Sequence, residues 1–304
     1  MTIEKELSSK KAELLNYFRN RAGEVLGEVR LTYGNTQYKE QAAATNKSLV
    51  ETKDNLIATI LQKAGQENWT NEEKLKAILM VTYANYIVML ETRNEVWPYE
   101  YMTFSRRIGE LWEPFCKLCF NYPINNVSLF VPPLFSEVKK KLSDEIEVFI
   151  DKLKISAEEK AQLKKYYHKV WGLVTSGEIK LELDLHFNSN NQKYVVDFKS
   201  GFGSNEKGNT NRLLLVASIY KNLEENYNCM IFVRANENNH YFDTLKNSGI
   251  WEAYSGVEAY AKMKDYSGFD MKNWIDTHVK WDTDFKAETI KYFQDNNLTQ
   301  YLIW

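Results

Sequence analysis

Cysteine and histidine are both scarce, with three of the first and four of the second in 304 residues. Cys116 and Cys119 form one C-x-x-C pair on a segment read as helix, and only Cys229 stands elsewhere. A structural zinc site needs four ligands, so these read as buried thiols, and no disulfide framework is implied. Long apolar runs are missing too, which excludes a membrane-spanning helix. The first residues, Met1-Thr2-Ile3-Glu4-Lys5-Glu6, are charged where a signal peptide is apolar, so the cell interior, the cytoplasm, is expected. A surplus of either charge is lacking as well: 39 basic against 41 acidic residues leave a net charge of −2. That excludes a protein that coats nucleic acid by bulk electrostatics, while leaving room for local basic contacts at one site. No repeat of fixed period is present.

The length suits one large domain or two. Residues 1–100 carry helical spacing throughout, through Ala12, Leu14, Leu15, Phe18 and Val25, then Leu56, Ile57, Ile60 and Leu61, then Leu75, Ile78, Leu79, Val81 and Ile87. Helices are expected over Glu137 to Asp151 and Ala157 to Val174, after a connection marked by Asn125-Asn126 and Pro132-Pro133. Met230 to Arg234 is a short apolar run suited to a buried strand. It is reached through a helix from Leu213 to Leu223 and followed by a helix from Phe242, a stop at Ser248-Gly249 and a strand from Ile250 to Tyr254. The last residues, Tyr301 to Trp304, are apolar and expected to dock.

Chemistry concentrates between Lys180 and Lys199. From Lys180 to Phe187 polar and apolar residues alternate, which predicts a half-buried strand with Leu181, Leu183, Leu185 and Phe187 on one face and Glu182, Asp184 and His186 on the other. Asn188 to Gln192 tolerates turn geometry, and Tyr194 to Lys199 is β-branched and aromatic. A β-hairpin follows. Period two places Asp197 and Lys199 on a common face, and hairpin pairing brings that face beside Asp184. Two carboxylates suit Mg²⁺, which polarises a phosphate, and a lysine beside them offsets charge growing on it. His186 shares the face of Asp184 and would either sit near the same ion or serve a structural role, the commoner use of a lone strand histidine. The same residues also suit an ion-paired surface hairpin without catalysis.

With that hairpin the chain resembles the PD-(D/E)XK nuclease superfamily, and type II restriction endonucleases within it. Asp184 matches the first acid, Asp197 the second and Lys199 the lysine, while Leu183 stands where the motif has proline. The resemblance spans at most Phe104 to Arg234, and its specific part is the hairpin. It implies an α/β (α+β) fold with a restriction-endonuclease-like core, a central mixed sheet flanked by helices. That core would fill residues 101–304 with a helical insertion at about 121–175, and the helical region 1–100 would serve dimerisation or DNA contact. It further implies Mg²⁺ as cofactor, held by Asp184, Asp197 and the Phe198 carbonyl, with Lys199 positioning water. The partners implied are double-stranded DNA at a palindromic site and a second copy of the chain, and the products carry 5′-phosphates.

The family commonly adds a glutamate from a preceding helix. Over Phe104 to Phe115, Ser105 would cap and Ile108, Leu111, Trp112 and Phe115 form the apolar stripe. Glu110 and Glu113 share a face there. Glu113, at the edge of the stripe, is preferred despite the neighbouring Pro114, with Glu178 as its rival. The loop after Lys199 has glycines at 203 and 208 but Asn209 where a Walker A lysine belongs, so it reads as a nucleic-acid contact. Lys207, Asn209, Asn211 and Arg212 would offer donors to phosphates near a helix start, as would Arg106 and Arg107. Arg30 to Lys39, with Gln41, Asn46 and Lys47, would touch DNA as well. Two further readings stay open: a RecB-like repair nuclease, whose usual glutamine is replaced by Asn211 and Arg212, and a silent DNA-binding protein.

Overall fold

The computed structural model describes residues 5–34, 36–174, 179–203, 205–223 and 227–304. It begins with a short 3₁₀ turn at Lys5–Ser9 and three long helices, α1 (Lys11–Tyr33), α2 (Tyr38–Gln66) and α3 (Asn71–Val96). α3 starts on a capping box: Thr70 Oγ1 accepts from the Glu73 amide at 3.2 Å and the Glu73 carboxylate accepts from the Thr70 amide at 2.7 Å. Its sequence is apolar around nearly the whole circumference, and it is buried almost continuously from Leu75 to Asn94. Such a helix belongs in the middle of a protein. α1 and α2 pack on it from one side and α4 (Tyr101–Asn121) from another.

After α4 the chain forms β1 (Val127–Leu129), α5 (Phe135–Lys152), α6 (Ala157–Val174), β2 (Leu185–Ser189), β3 (Gln192–Lys199), α7 (Lys207–Lys221), β4 (Tyr227–Val233), α8 (His240–Lys246) and β5 (Trp251–Ser255). α9 (Val257–Ser267), α10 (Met271–His278), α11 (Trp281–Asp284) and α12 (Ala287–Asp295) complete it. The protein is thus α/β, with a five-stranded mixed sheet in the order β1-β2-β3-β4-β5. β1 with β2 and β2 with β3 pair antiparallel, while β3 with β4 and β4 with β5 pair parallel and are joined through α7 and α8. The β2–β3 turn is Asn190-Asn191, both with positive φ (51° and 60°), as a two-residue hairpin with right-handed twist requires.

Each face of the sheet meets its own core. Leu185, Phe187, Val196, Phe198, Met230 and Phe232 join the helical core that runs from Leu7 to Trp304. Val195, Cys229, Ile231 and Val233 meet Leu213, Val216 and Tyr220 of α7 and Leu245 of α8. The N-terminal hundred residues are therefore helical as expected, yet they share one core with the sheet; the boundary near residue 100 is a change of architecture, not a gap between cores. The tail is docked: Trp304 Nε1 donates to the Ile108 carbonyl at 3.3 Å.

Three sequence expectations are corrected. The segment 121–175 is not wholly helical, since β1 pairs with β2 as an edge strand. Ser105 caps nothing; α4 already begins at Tyr101 and continues through Pro114. The alternation from Lys180 to Phe187 is not one strand: β2 starts only at Leu185, and the chain bends at Asp184. Leu181 and Leu183 consequently enter the core under α7, and Leu185 and Phe187 the opposite one.

A polar cluster ties the C-terminal segment to the helices. Arg19 grips Glu91 of α3 with two bonds of 2.6 and 3.0 Å, and the Lys286 amide donates to the same carboxylate at 2.7 Å. Nearby, Asp284 accepts from Lys11 and Tyr83, each at 2.7 Å. Glu91 is 3% exposed and Arg19 22%. Glu91→Ala strands a largely buried guanidinium and an amide at once, so it is expected to cost about 3 kcal/mol, read as a lowered urea midpoint. Lys5→Ala, which breaks only the exposed pair with Glu73, should leave the midpoint where it is.

Candidate active site

Asp197 sits on β3 between two partners: β2 on one side and β4 on the other, where it pairs with Ile231. Its neighbours Val195 and Val196 are β-branched and buried, so the strand is rigid at this point. The side chain is 2% exposed. Lys199, two residues on and therefore on the same face, brings Nζ to 2.9 Å from Asp197 Oδ2. At that distance the ammonium and Oδ2 form a charge-assisted contact. Arg212 of α7 reaches Oδ1 at 3.4 Å. Burial pushes the Asp197 carboxyl up from its ordinary range; Lys199 and Arg212 pull it down and Asp184 pushes it up again.

Asp184 lies one step past the last pair of the β2–β3 ladder, Leu185 with Val196, opposite Asp197. There it leaves the ladder and its Oδ2 accepts the Phe198 amide at 2.7 Å. A second bond fixes the bend: the Leu183 amide donates to His186 Nε2 at 3.2 Å. An accepting Nε2 places the imidazole proton on Nδ1, and burial holds the His186 pKa down at about 4. Of the two readings of His186, the structural one agrees with this geometry, because its Nε2 is used by the backbone and the ring is buried.

α4 supplies the other wall. Trp112 packs its edge on Phe198 with centroids 5.6 Å apart, and its Nε1 donates to Tyr260 at 2.7 Å. Gly109 makes the approach possible, since a Cβ there would stand 2.9 Å from the Ser200 Cβ. Glu113 follows on the same turn as Trp112, half-buried, with Lys117 Nζ 3.2 Å from its carboxylate. Burial and the charge of Asp184 raise its pKa, while Lys117 and Lys199 oppose them. Glu113, Phe198, Lys199 and Ser200 thus line one cleft of about 620 Å³ together with Arg106, Glu110 and Glu206.

Of the expected residues, Lys199 lies beside Asp197, Lys199 and Glu113 line one cleft, and Asp184 is close enough for its charge to act on both Asp197 and Glu113. Glu110 lines the same cleft but is held by Arg106 at 2.7 Å and Arg107 at 3.5 Å. Glu178 lies outside the described residues. Lys207 and Asn211 are exposed at the start of α7, whereas Asn209 is engaged by Glu206 at 2.9 Å and by Arg212 at 3.4 Å. Arg212 is 43% exposed and turned toward Asp197, an inward role not expected of it. Gln41 is corrected: it is buried and its side chain donates to the Gly34 carbonyl, closing the end of α1. Lys117 was missed, although the i to i+4 spacing from Glu113 was its signal.

The carboxylate oxygens of Asp184 and Asp197 and the Phe198 carbonyl are hard oxygen donors of the kind Mg²⁺ takes, with Lys199 Nζ already 2.9 Å from Asp197 Oδ2. Among the described residues, no three His, Cys, Asp or Glu side chains are arranged to hold an ion. Cys116, Cys119 and Cys229 are all buried and free, as the scarcity of ligands suggested. Among the described residues no helix is long and apolar enough to cross a membrane. Comparison with protein-family models, with curated proteins and with solved structures finds no match to this chain.

The neutral, buried His186 makes stability depend on pH. Unfolded, the ring takes a proton below about 6.5, and folded only below about 4, so the unfolded state binds more protons between those values and stability rises with pH across the window. The expected rise is about 2 to 3 kcal/mol, at about 1.4 kcal/mol per pH unit. Urea midpoints in metal-free buffer at pH 4.5 and 7 should converge in His186→Gln, which keeps an acceptor but cannot protonate.

Proposed function

We propose that this chain is a Mg²⁺-dependent endonuclease of the PD-(D/E)XK kind, cutting double-stranded DNA as type II restriction enzymes do. One observation carries the reading. Asp184 and Asp197 stand opposite each other where the β2–β3 hairpin opens, with Lys199 Nζ 2.9 Å from Asp197 and Glu113 on the facing helix. The element order β2, β3, α7, β4 around them agrees with a restriction-endonuclease-like core.

Asp184, Asp197 and the Phe198 carbonyl would hold Mg²⁺, which when bound supplies positive charge to the phosphate and acidifies water. Lys199 orients the attacking water and offsets charge on the phosphate oxygens. Glu113, its pKa raised, takes the proton that the water gives up. Water attacks phosphorus in line, the bond to O3′ breaks, O3′ gains a proton, and the new strand end keeps a 5′-phosphate. Two such sites, one per strand, call for a homodimer on a palindromic target. Lys207 and Asn211, exposed at the start of α7, and Arg106 at the rim of the cleft are the groups placed to meet backbone phosphates.

The silent-binding reading is favoured by two facts: Asp197 already has two cations beside it, and no three-ligand grouping exists among the described residues. Cleavage separates the two. With phage genomic DNA and Mg²⁺, the wild-type protein should give discrete bands, and Lys199→Ala should lower the rate at least about a hundredfold. Asp184→Ala should lose both Mg²⁺ affinity and cleavage. A smear would move the assignment to a RecB-like repair nuclease. Intact DNA on several substrates, with Mn²⁺ as well as Mg²⁺, would leave only the silent binding protein.

A further inference from the structure

Beside the cleft lies a second cavity, of about 290 Å³, between α2, the end of α3 and α4. Its walls carry Asn46, Arg93, Arg106, Arg107 and Glu110, and it shares Arg106 and Glu110 with the first cleft. Three guanidiniums against one carboxylate leave the cavity with a charge of about +2, in a chain whose net charge is −2.

Arg93 is the group that needs explaining. It is 9% exposed, and its Nη1 is sealed from solvent without a hydrogen-bond partner. Among the described residues no carboxylate pairs with it. What holds it is aromatic: its Cζ lies 4.0 Å from the centroid of Trp97 and 4.5 Å from that of Tyr99. Lys39 stacks 5.5 Å over the same Trp97 ring. Burial of a cation without an acid is costly, and here another cation, Arg107, faces it, so both burial and repulsion pull the Arg93 pKa down. Asn46 adds a second orphan, a buried Oδ1 with no donor; turned about its amide, it would offer two N–H groups to the same space. Stacked, pre-oriented guanidiniums with free N–H groups are the recognition chemistry of phosphate.

We propose that this cavity is an anion site that takes a backbone phosphate of nucleic acid, with Arg93 and Arg107 as its principal donors and Asn46 beside them. It rests on the nuclease reading for the identity of the ligand: a strand whose scissile phosphate lies at Lys199 is carried past Arg106 into the second cavity. At roughly 30 Å³ per water, the space holds about ten waters, enough for a phosphate and part of its sugar. Glu110 bridges Arg106 and Arg107 in the empty cavity, and an entering phosphate competes with it for those two arginines but not for Arg93.

The test begins with inorganic phosphate, titrated calorimetrically into the full chain at constant ionic strength against a chloride control. Saturable binding to one site is expected, weakened at least tenfold in Arg93→Met and in Arg107→Gln. Arg107 is only partly buried, so its variant keeps the test open if Arg93→Met fails to fold. A purely packing role for Arg93 predicts a lower melting temperature and unchanged phosphate binding in any folded variant, which would overturn the proposal, as would the absence of saturable binding to the wild type. With a short duplex in Ca²⁺, each variant should also lower the slope of log affinity against log salt by about one. An unchanged slope in both overturns the assignment to a backbone phosphate, and comparing duplexes with and without 5′-phosphates tells an internal phosphate from a terminal one. Phosphate binding lost in the variants, beside a wild type that cuts no DNA, would retain the anion site and remove the nuclease reading; cleavage without phosphate binding would do the reverse.

Discussion

A carboxylate sealed inside the protein is the constraint around which the sheet is arranged. Asp197 is 2% exposed, and an isolated ion in that setting would neutralise or unfold its surroundings. The fold answers with two cations from different elements, Lys199 of β3 at Oδ2 and Arg212 of α7 at Oδ1. The position of α7 over the sheet, the bend at Asp184 and the close approach of α4 at Gly109 all contribute to this one spot. Such a buried ion pair adds little net stability over an apolar packing of the same volume.

The helical layer does the opposite kind of work. α3 is buried along most of its length, and its buried carboxylate, Glu91, is engaged by Arg19 and the Lys286 amide. Together with the Asp284 contacts to Lys11 and Tyr83, that cluster closes the C-terminal segment over the N-terminal helices. Trp304 then lies against the backbone of α4 at Ile108, one turn from Glu113. Chain ends far apart in sequence thereby brace the helix that forms the wall of the cleft.

The two arginine environments show how differently one residue type is used. Arg19 is paired with an acid in good bidentate geometry, and its pKa is raised, first by the hydrogen bond to Glu91. Arg93, two residues past Glu91 on α3, is stacked on two aromatic rings with no acid among the described residues to pair it, and its pKa is lowered first by burial. Composition does not tell these apart, since both are arginines on long amphipathic or apolar helices.

By itself the sequence determined the hairpin and the face on which its charged residues stand. Period-two alternation, the Asn190-Asn191 turn and a β-branched second strand are local signals, and they placed Asp197 and Lys199 on one face without reference to anything distant. Helical periodicity was equally sufficient for the N-terminal region and for the apolar stripe of α4 with Glu113 at its edge. The bend at Asp184 was not legible, because the alternation of Leu181 to Phe187 is unbroken in sequence. The break comes from the Asp184 bond to the Phe198 amide and the His186 bond to the Leu183 amide, which send the leucines on either side into opposite cores. β1 was too short to carry a period, and Arg212 on Asp197 or Arg93 between its two rings depends on which helices meet. Local periodicity fixes the face on which a side chain stands, but only the packing of distant elements decides what charge it faces there.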